Sequence, residues 1–170
     1  MPDTYTLYKL IILYTLNEAG FPITNAQMTE FVLNKGYTTY FVLQEVIGEL
    51  IDAELILPMK HSDRTEYTIT EEGRVTIQYF GDRISEAIRS DIRAFLRDKG
   101  CVMKNEAAVT ADYYKTTARE YAVRCRVREK GSDLIDMTIT VPTEVQAEAT
   151  AIKWKTKHQE LYAHIMKELL

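Results

Sequence analysis

The chain reads as an α+β protein, and three observations carry that reading. Apolar residues of helical period recur through the amino-terminal third, strict alternation of apolar and charged residues marks Tyr121 to Glu129, and a long amphipathic segment runs to the end. At 170 residues and 46% apolar content, the chain can bury the core of one or two small domains.

Thr4 to Asn17 is predicted as a helix that Gly20 and Pro22 terminate. Its apolar residues, from Tyr5 through Leu10, Ile11, Ile12 and Leu13 to Leu16, cover more than one face, so it must be buried on two sides. One side is expected under a later helix; for the other, a second protomer is preferred over the carboxyl-terminal half. A second helix starts at Thr24 or Asn25, carries Met28, Phe31 and Val32 inward, and stops at Asn34-Lys35-Gly36. A third starts at Thr38 or Thr39 and sets Leu43, Val46, Ile47 and Leu50 on one stripe. After Ala53 the pattern changes to a short apolar run, Glu54-Leu55-Ile56-Leu57, a polar stretch from Pro58 to Arg64, and an alternating strand, Thr65 to Thr70. Two helices across a tight turn followed by a hairpin with a charged tip make a winged helix-turn-helix, and Glu71-Glu72-Gly73 then opens a polar segment.

The run Leu43, Ile47, Leu50, then Glu54-Leu55-Ile56, then Tyr67-Thr68-Ile69-Thr70-Glu71-Glu72-Gly73-Arg74 resembles bacterial winged-helix transcriptional regulators. In these a leucine-spaced recognition helix precedes a Gly-Leu-Ile-like strand and a Tyr-x-Leu-Thr-x-x-Gly-Arg exit from the wing. Glu54 departs from that pattern, standing where glycine supplies the left-handed residue after the helix. With its remaining half, the chain is similar to a bacterial family of unknown function grouped with winged-helix regulators.

The resemblance implies double-stranded DNA as partner, read by a homodimer at paired half-sites. With the apolar stripe turned inward, Thr39, Tyr40, Gln44 and Gly48 lie toward the other side of the recognition helix, and Tyr37 and Thr38 sit at its amino end. Such side chains hydrogen-bond base edges, and a helix amino terminus attracts phosphate. Lys35 in the turn and Lys60, His61 and Arg64 at the wing complete the expected DNA-binding set. The bland reading is that Tyr37, Tyr40 and Phe41 finish the core and Gln44 is solvated. Charge opposes DNA: up to Phe80 there are five lysines and arginines against eleven acids, although the whole chain stands at only −4. Phosphate neutralisation supplies most non-specific affinity, so a monomer of this kind binds weakly. The alternative is a winged helix used for protein contacts.

From Gly81 the chain changes character, and the domain boundary is placed there: residues 1–80 form the winged half and residues 81–170 a dimerising or signal-receiving half. Asp82 to Lys99 is an amphipathic linking helix closed by Gly100. Three strands follow, Ala108 to Thr116, Tyr121 to Glu129 and Asp133 to Val141, as an antiparallel meander. Thr143 and Gln146 fit a capping box for a last helix whose stripe runs Ala147, Ala151, Trp154, His158, Leu161, Ile165, Leu169. Arg124, Arg126 and Arg128 line one face of the middle strand. They read either as a strip for an anionic ligand or, by preference, as a wet sheet face answered by Glu120, Glu129, Asp133 and Asp136.

No motif asks for catalysis. His61, His158 and His164 are not spaced as metal ligands, neither Cys101 nor Cys125 has a C-x-x-C partner, and there is no glycine-rich phosphate loop. No enzyme, cofactor or metal is expected. Two cysteines, no basic leader and no run approaching the roughly 18 apolar residues of a membrane span lead to the expectation of a cytoplasmic protein with free thiols.

Overall fold

The computed structural model describes residues 3–170. Among them the chain is α+β, with six α-helices and two antiparallel three-stranded sheets. It divides into two compact units. The first runs to Lys60 and from Arg64 to Lys104; the second holds His61–Asp63 and Asn105–Leu170. No helix among the described residues is long and apolar enough to cross a membrane.

The first unit follows the predicted order of three helices and a hairpin, with one unpredicted short strand between the first two helices. Helix α1 (Thr4–Ala19) is capped by Asp3, whose carboxylate accepts the Thr6 N–H, and ends on Gly20 at φ 70°. Strand β1 (Ile23–Thr24) leads into α2 (Asn25–Asn34), where Thr24 and Gln27 form a reciprocal capping box. Gly36 at φ 68° turns the chain into α3 (Tyr40–Asp52), capped by Thr39. The hairpin of β2 (Ile56–Lys60) and β3 (Thr65–Ile69) pairs Ile56 with Ile69 and Lys60 with Thr65, and β1 adds to the free side of β3, giving the order β1-β3-β2.

Past the hairpin the structure departs from expectation. Glu71-Glu72-Gly73 opens helix α4 (Glu71–Phe80) rather than a polar coil: the Thr70 hydroxyl accepts the Gly73 N–H, and both glutamates lie in the first turn, where the helix dipole favours them. This helix covers the second side of α1, which was expected to wait for a second protomer. Leu10, Ile11, Ile12, Leu13 and Leu16 are all buried inside one core with α3, β3 and Ile77 of α4. After a 3-10 turn (Gly81–Arg83), helix α5 (Glu86–Ala108) adds Ile92 and Met103 to that core, and Phe95 stacks on Phe31 at 4.5 Å. The predicted linking helix therefore packs as part of the first unit, and the division falls after Lys104 instead of near residue 80.

The second unit is a meander of β4 (Val109–Lys115), β5 (Tyr121–Glu129) and β6 (Ser132–Val141), with β5 central. Gly131 at φ 81° and Lys130 at φ 51° make the tight turn between β5 and β6. Helix α6 (Glu144–Leu169), started by the Thr143–Gln146 capping box, lays Ala147, Ala151 and Trp154 on the sheet against Ala111, Val123 and Cys125. The stripe is covered only in its first half, since Leu161 and Leu169 remain exposed. Both cysteines are free thiols; burial pushes that of Cys125 up to about 11, so it is unreactive at neutral pH.

Candidate functional site

Helix α3 is held by Leu43, Val46, Ile47 and Leu50, each at most 2% exposed. With those four inward, the 100° step per residue places Phe41, Glu45, Gly48 and Asp52 outermost and leaves Tyr40 and Gln44 on one flank. Phe41 is 83% exposed and Tyr40 46%, with their rings edge to face at 5.7 Å. Phe41 is thus an open side chain, not the core residue of the bland reading. The wheel angle was the signal for it, and also for Glu45.

The other expected residues divide by what already holds them. Thr39 is exposed but spends its hydroxyl accepting the Val42 N–H at 3.4 Å, as the cap of α3. Thr38 is half-buried beside it. Gln44 is half-buried, its Nε2 3.5 Å from Thr29 Oγ1 on α2. Tyr37 is committed inside its unit: its hydroxyl donates to Asp91 Oδ2 at 2.6 Å and its ring meets Phe31 edge on. Burial, with Asp91 next to it, pushes the Tyr37 phenol well above its ordinary range, and that hydrogen bond holds the Asp91 carboxyl low. Lys35 lies 3.4 Å from the same carboxylate yet stays partly exposed.

At the hairpin the expected basic tip is largely consumed. Arg64 Nε donates to Glu66 Oε1 at 2.8 Å, and these side chains are 14% and 4% exposed. His61 belongs to the second unit, where its side chain is 3% exposed and its Nδ1 lies 2.9 Å from Asp112 Oδ2. Both side chains are thus held by carboxylates of the chain itself, where the sequence reading expects them open at the tip. Lys60 is exposed at the end of β2. The carboxylates on α3 are partly occupied too, Glu49 by Lys9 at 2.6 Å and Glu45 by the Tyr5 hydroxyl at 3.4 Å, and the Glu45 charge raises the Tyr5 phenol.

The arginine row is answered largely as a wet sheet face. Arg124 grips Asp136 with two hydrogen bonds of 2.9 and 2.8 Å, and Arg128 pairs with Asp133 at 3.2 Å. Arg126, between them, sits opposite Thr110 and Asp136 in the sheet register. Two of the three guanidiniums are thus bound to carboxylates rather than open to an anion.

A cleft of about 280 Å³ opens on the other face of this sheet, between Cys125, Met137 and Ile139 on the strands and Trp154, Lys157 and Leu161 on α6. No local pattern signals it, because it exists only where α6 fails to cover β6.

No curated protein and no solved structure matches the chain. The model of one family, described as a domain of unknown function (DUF4364), matches residues 8–169, which is nearly the whole length, and to that family the chain belongs.

Proposed function

We propose that the first unit is a winged helix that binds double-stranded DNA and that the protein acts as a homodimeric transcriptional regulator. The observation that supports this most is the open amino end of α3: Thr39, Tyr40 and Phe41 stand clear of the core, ahead of first-turn N–H groups that attract phosphate. A hairpin ending in an exposed Lys60 follows it. Tyr40 and Gln44 supply hydrogen-bonding groups for base edges, Phe41 an apolar contact for a thymine methyl, and Lys35 and Lys60 the phosphate contacts.

One observation favours a second reading, a surface for another protein. Helix α3 carries no lysine or arginine between Tyr40 and Asp52, and its outer row is Phe41, Glu45 and Asp52. An exposed aromatic flanked by acids is an ordinary protein-contact anchor and a poor neighbour for phosphate.

Fluorescence anisotropy with random-sequence duplexes at low salt separates the two. Under the DNA reading, Lys60→Glu weakens retention on all duplexes alike, whereas Gln44→Ala and Phe41→Ala act mainly on fragments selected for tight binding. Wild-type protein that retains no duplex at low salt removes the DNA reading and leaves the protein surface.

A further inference from the structure

We propose that the outer edge of β6, with the cleft beside it, is the homodimer interface, where two copies join their meanders into one six-stranded antiparallel sheet. This deepens the dimeric part of the reading above and stands apart from its DNA part.

The two edges of the meander are treated differently. At the β4 edge the Tyr113 N–H donates to Ser62 Oγ at 2.8 Å, and the Asp112 carboxylate accepts the Ser62 N–H at 3.0 Å, so residues 61–63 cap it. No hydrogen bond among the described residues meets the outer edge of β6, a strand of ten residues with neither lysine nor proline inside it. A bulge at Leu134 interrupts the first residues of β6, but from Ile135 to Val141 the strand runs in unbroken register and offers a row of open main-chain donors and acceptors. What such an edge requires is another strand.

The sequence of β6 suits a copy of itself. Ile135, Met137, Ile139 and Val141 share the face toward α6, and Ile139 is 40% exposed because α6 lies mainly over β4 and β5. A two-fold axis at Met137 pairs Met137 with its mate, Ile135 with Ile139 and Asp136 with Thr138, keeping both apolar faces on one side. An axis at Asp136 would set two carboxylates against each other, so Met137 is the centre of the longest overlap that avoids this. Along the cleft flank of α6, Lys153 and Lys157 precede Glu160, which Lys157 meets at 3.4 Å within the helix, and an antiparallel copy brings Lys153 toward the mate's Glu160. The partner's α6 then closes the cleft over Met137, Ile139 and Leu161. The contact is isologous, so it stops at two copies.

Sedimentation of the full chain without DNA tests this, over a range of concentrations. Wild type is expected as a dimer, and Ile139→Lys, which sets an ammonium against Ile135 of the mate, raises the dissociation constant at least about tenfold, equivalent to about 1.4 kcal/mol. In a background with Cys101→Ser and Cys125→Ala, the second because Cys125 lies directly opposite Met137 in the same chain, Met137→Cys is expected to trap the dimer as a disulfide under mild oxidation, because directly opposed residues fall within disulfide reach. Asp133→Cys, whose two copies lie at opposite ends of the paired strands, should not. A monomer at every concentration overturns both this interface and the dimeric reading. A dimer that survives Ile139→Lys and is not trapped through Met137→Cys overturns the interface alone.

Discussion

Gly73 shows how a motif residue acquires its physical reason. A Cβ at this position would lie 2.2 Å from the Leu55 carbonyl oxygen and 2.7 Å from Ile69 Cγ1, so α4 can start against the hairpin only if residue 73 has no side chain. Gly73→Ala is therefore expected to lose about 1–3 kcal/mol through backbone displacement. An unchanged urea midpoint would show that the approach is looser than this. Glu54 is the opposite case: it holds φ 59° after α3, a left-handed conformation that a residue with a Cβ adopts at a strain of roughly 1–2 kcal/mol. Its place is fixed by the N–H groups of Glu54 and Leu55, which donate to Ile51 and Leu50 carbonyls, bonds that a glycine keeps. Glu54→Gly should thus stabilise the protein by about 1 kcal/mol, after the entropy of the freer unfolded chain is allowed for. A lower denaturation midpoint in this variant would contradict that account.

At the scale of elements, the best-defended feature of the second unit is the edge of β4. Burial acts to raise the Asp112 carboxyl, but the hydrogen bonds from His61 and the Ser62 N–H, with the His61 and Arg126 charges, outweigh it and hold the group below the ordinary carboxylate range. A carboxyl lowered by folding contributes stability above its unfolded value, about 3.9, and that contribution disappears as pH falls through the folded value. Asp112→Asn should be less stable than wild type by about 1–3 kcal/mol at neutral pH, because donors lose a charged acceptor. The difference should shrink below about pH 4. Melting curves of the two proteins that stay parallel down to pH 2.5, roughly a unit and a half under the unfolded value, would rule this out. The same element shows where pattern reading falters. The charged tip of the hairpin reads locally as a phosphate-binding loop, yet His61 and Arg64 are spent on Asp112 and Glu66, partners that the charge pattern did not single out.

At the scale of the molecule, charge governs what the first unit can do. With His61 and Arg64 withdrawn, Lys35 and Lys60 leave about two phosphate contacts per protomer, so the logarithm of affinity should fall with a slope near −1.8 against the logarithm of salt, and about twice that for a dimer. Measured on the random duplexes of the anisotropy experiment, a slope of zero would mean that phosphates are not the target.

By itself the sequence determined the three helices and the hairpin of the first unit, the three strands of the meander and the capping box of α6, because period, caps and turn residues act within a few positions and need no partner. It also marked the amino end of α3 as a candidate surface, although the wheel angle of Phe41 passed unused. Tertiary structure alone decided the rest. Helix α4 was hidden because Gly73 and the exposed Val75 and Tyr79 blur its stripe, and only the packed core shows that it closes the second side of α1. The division after Lys104, the neutralised hairpin tip and the cleft beside β6 all depend on residues far apart in the chain. Whether a cation is free, or an apolar face is covered, is settled by which distant side chain comes to rest on it.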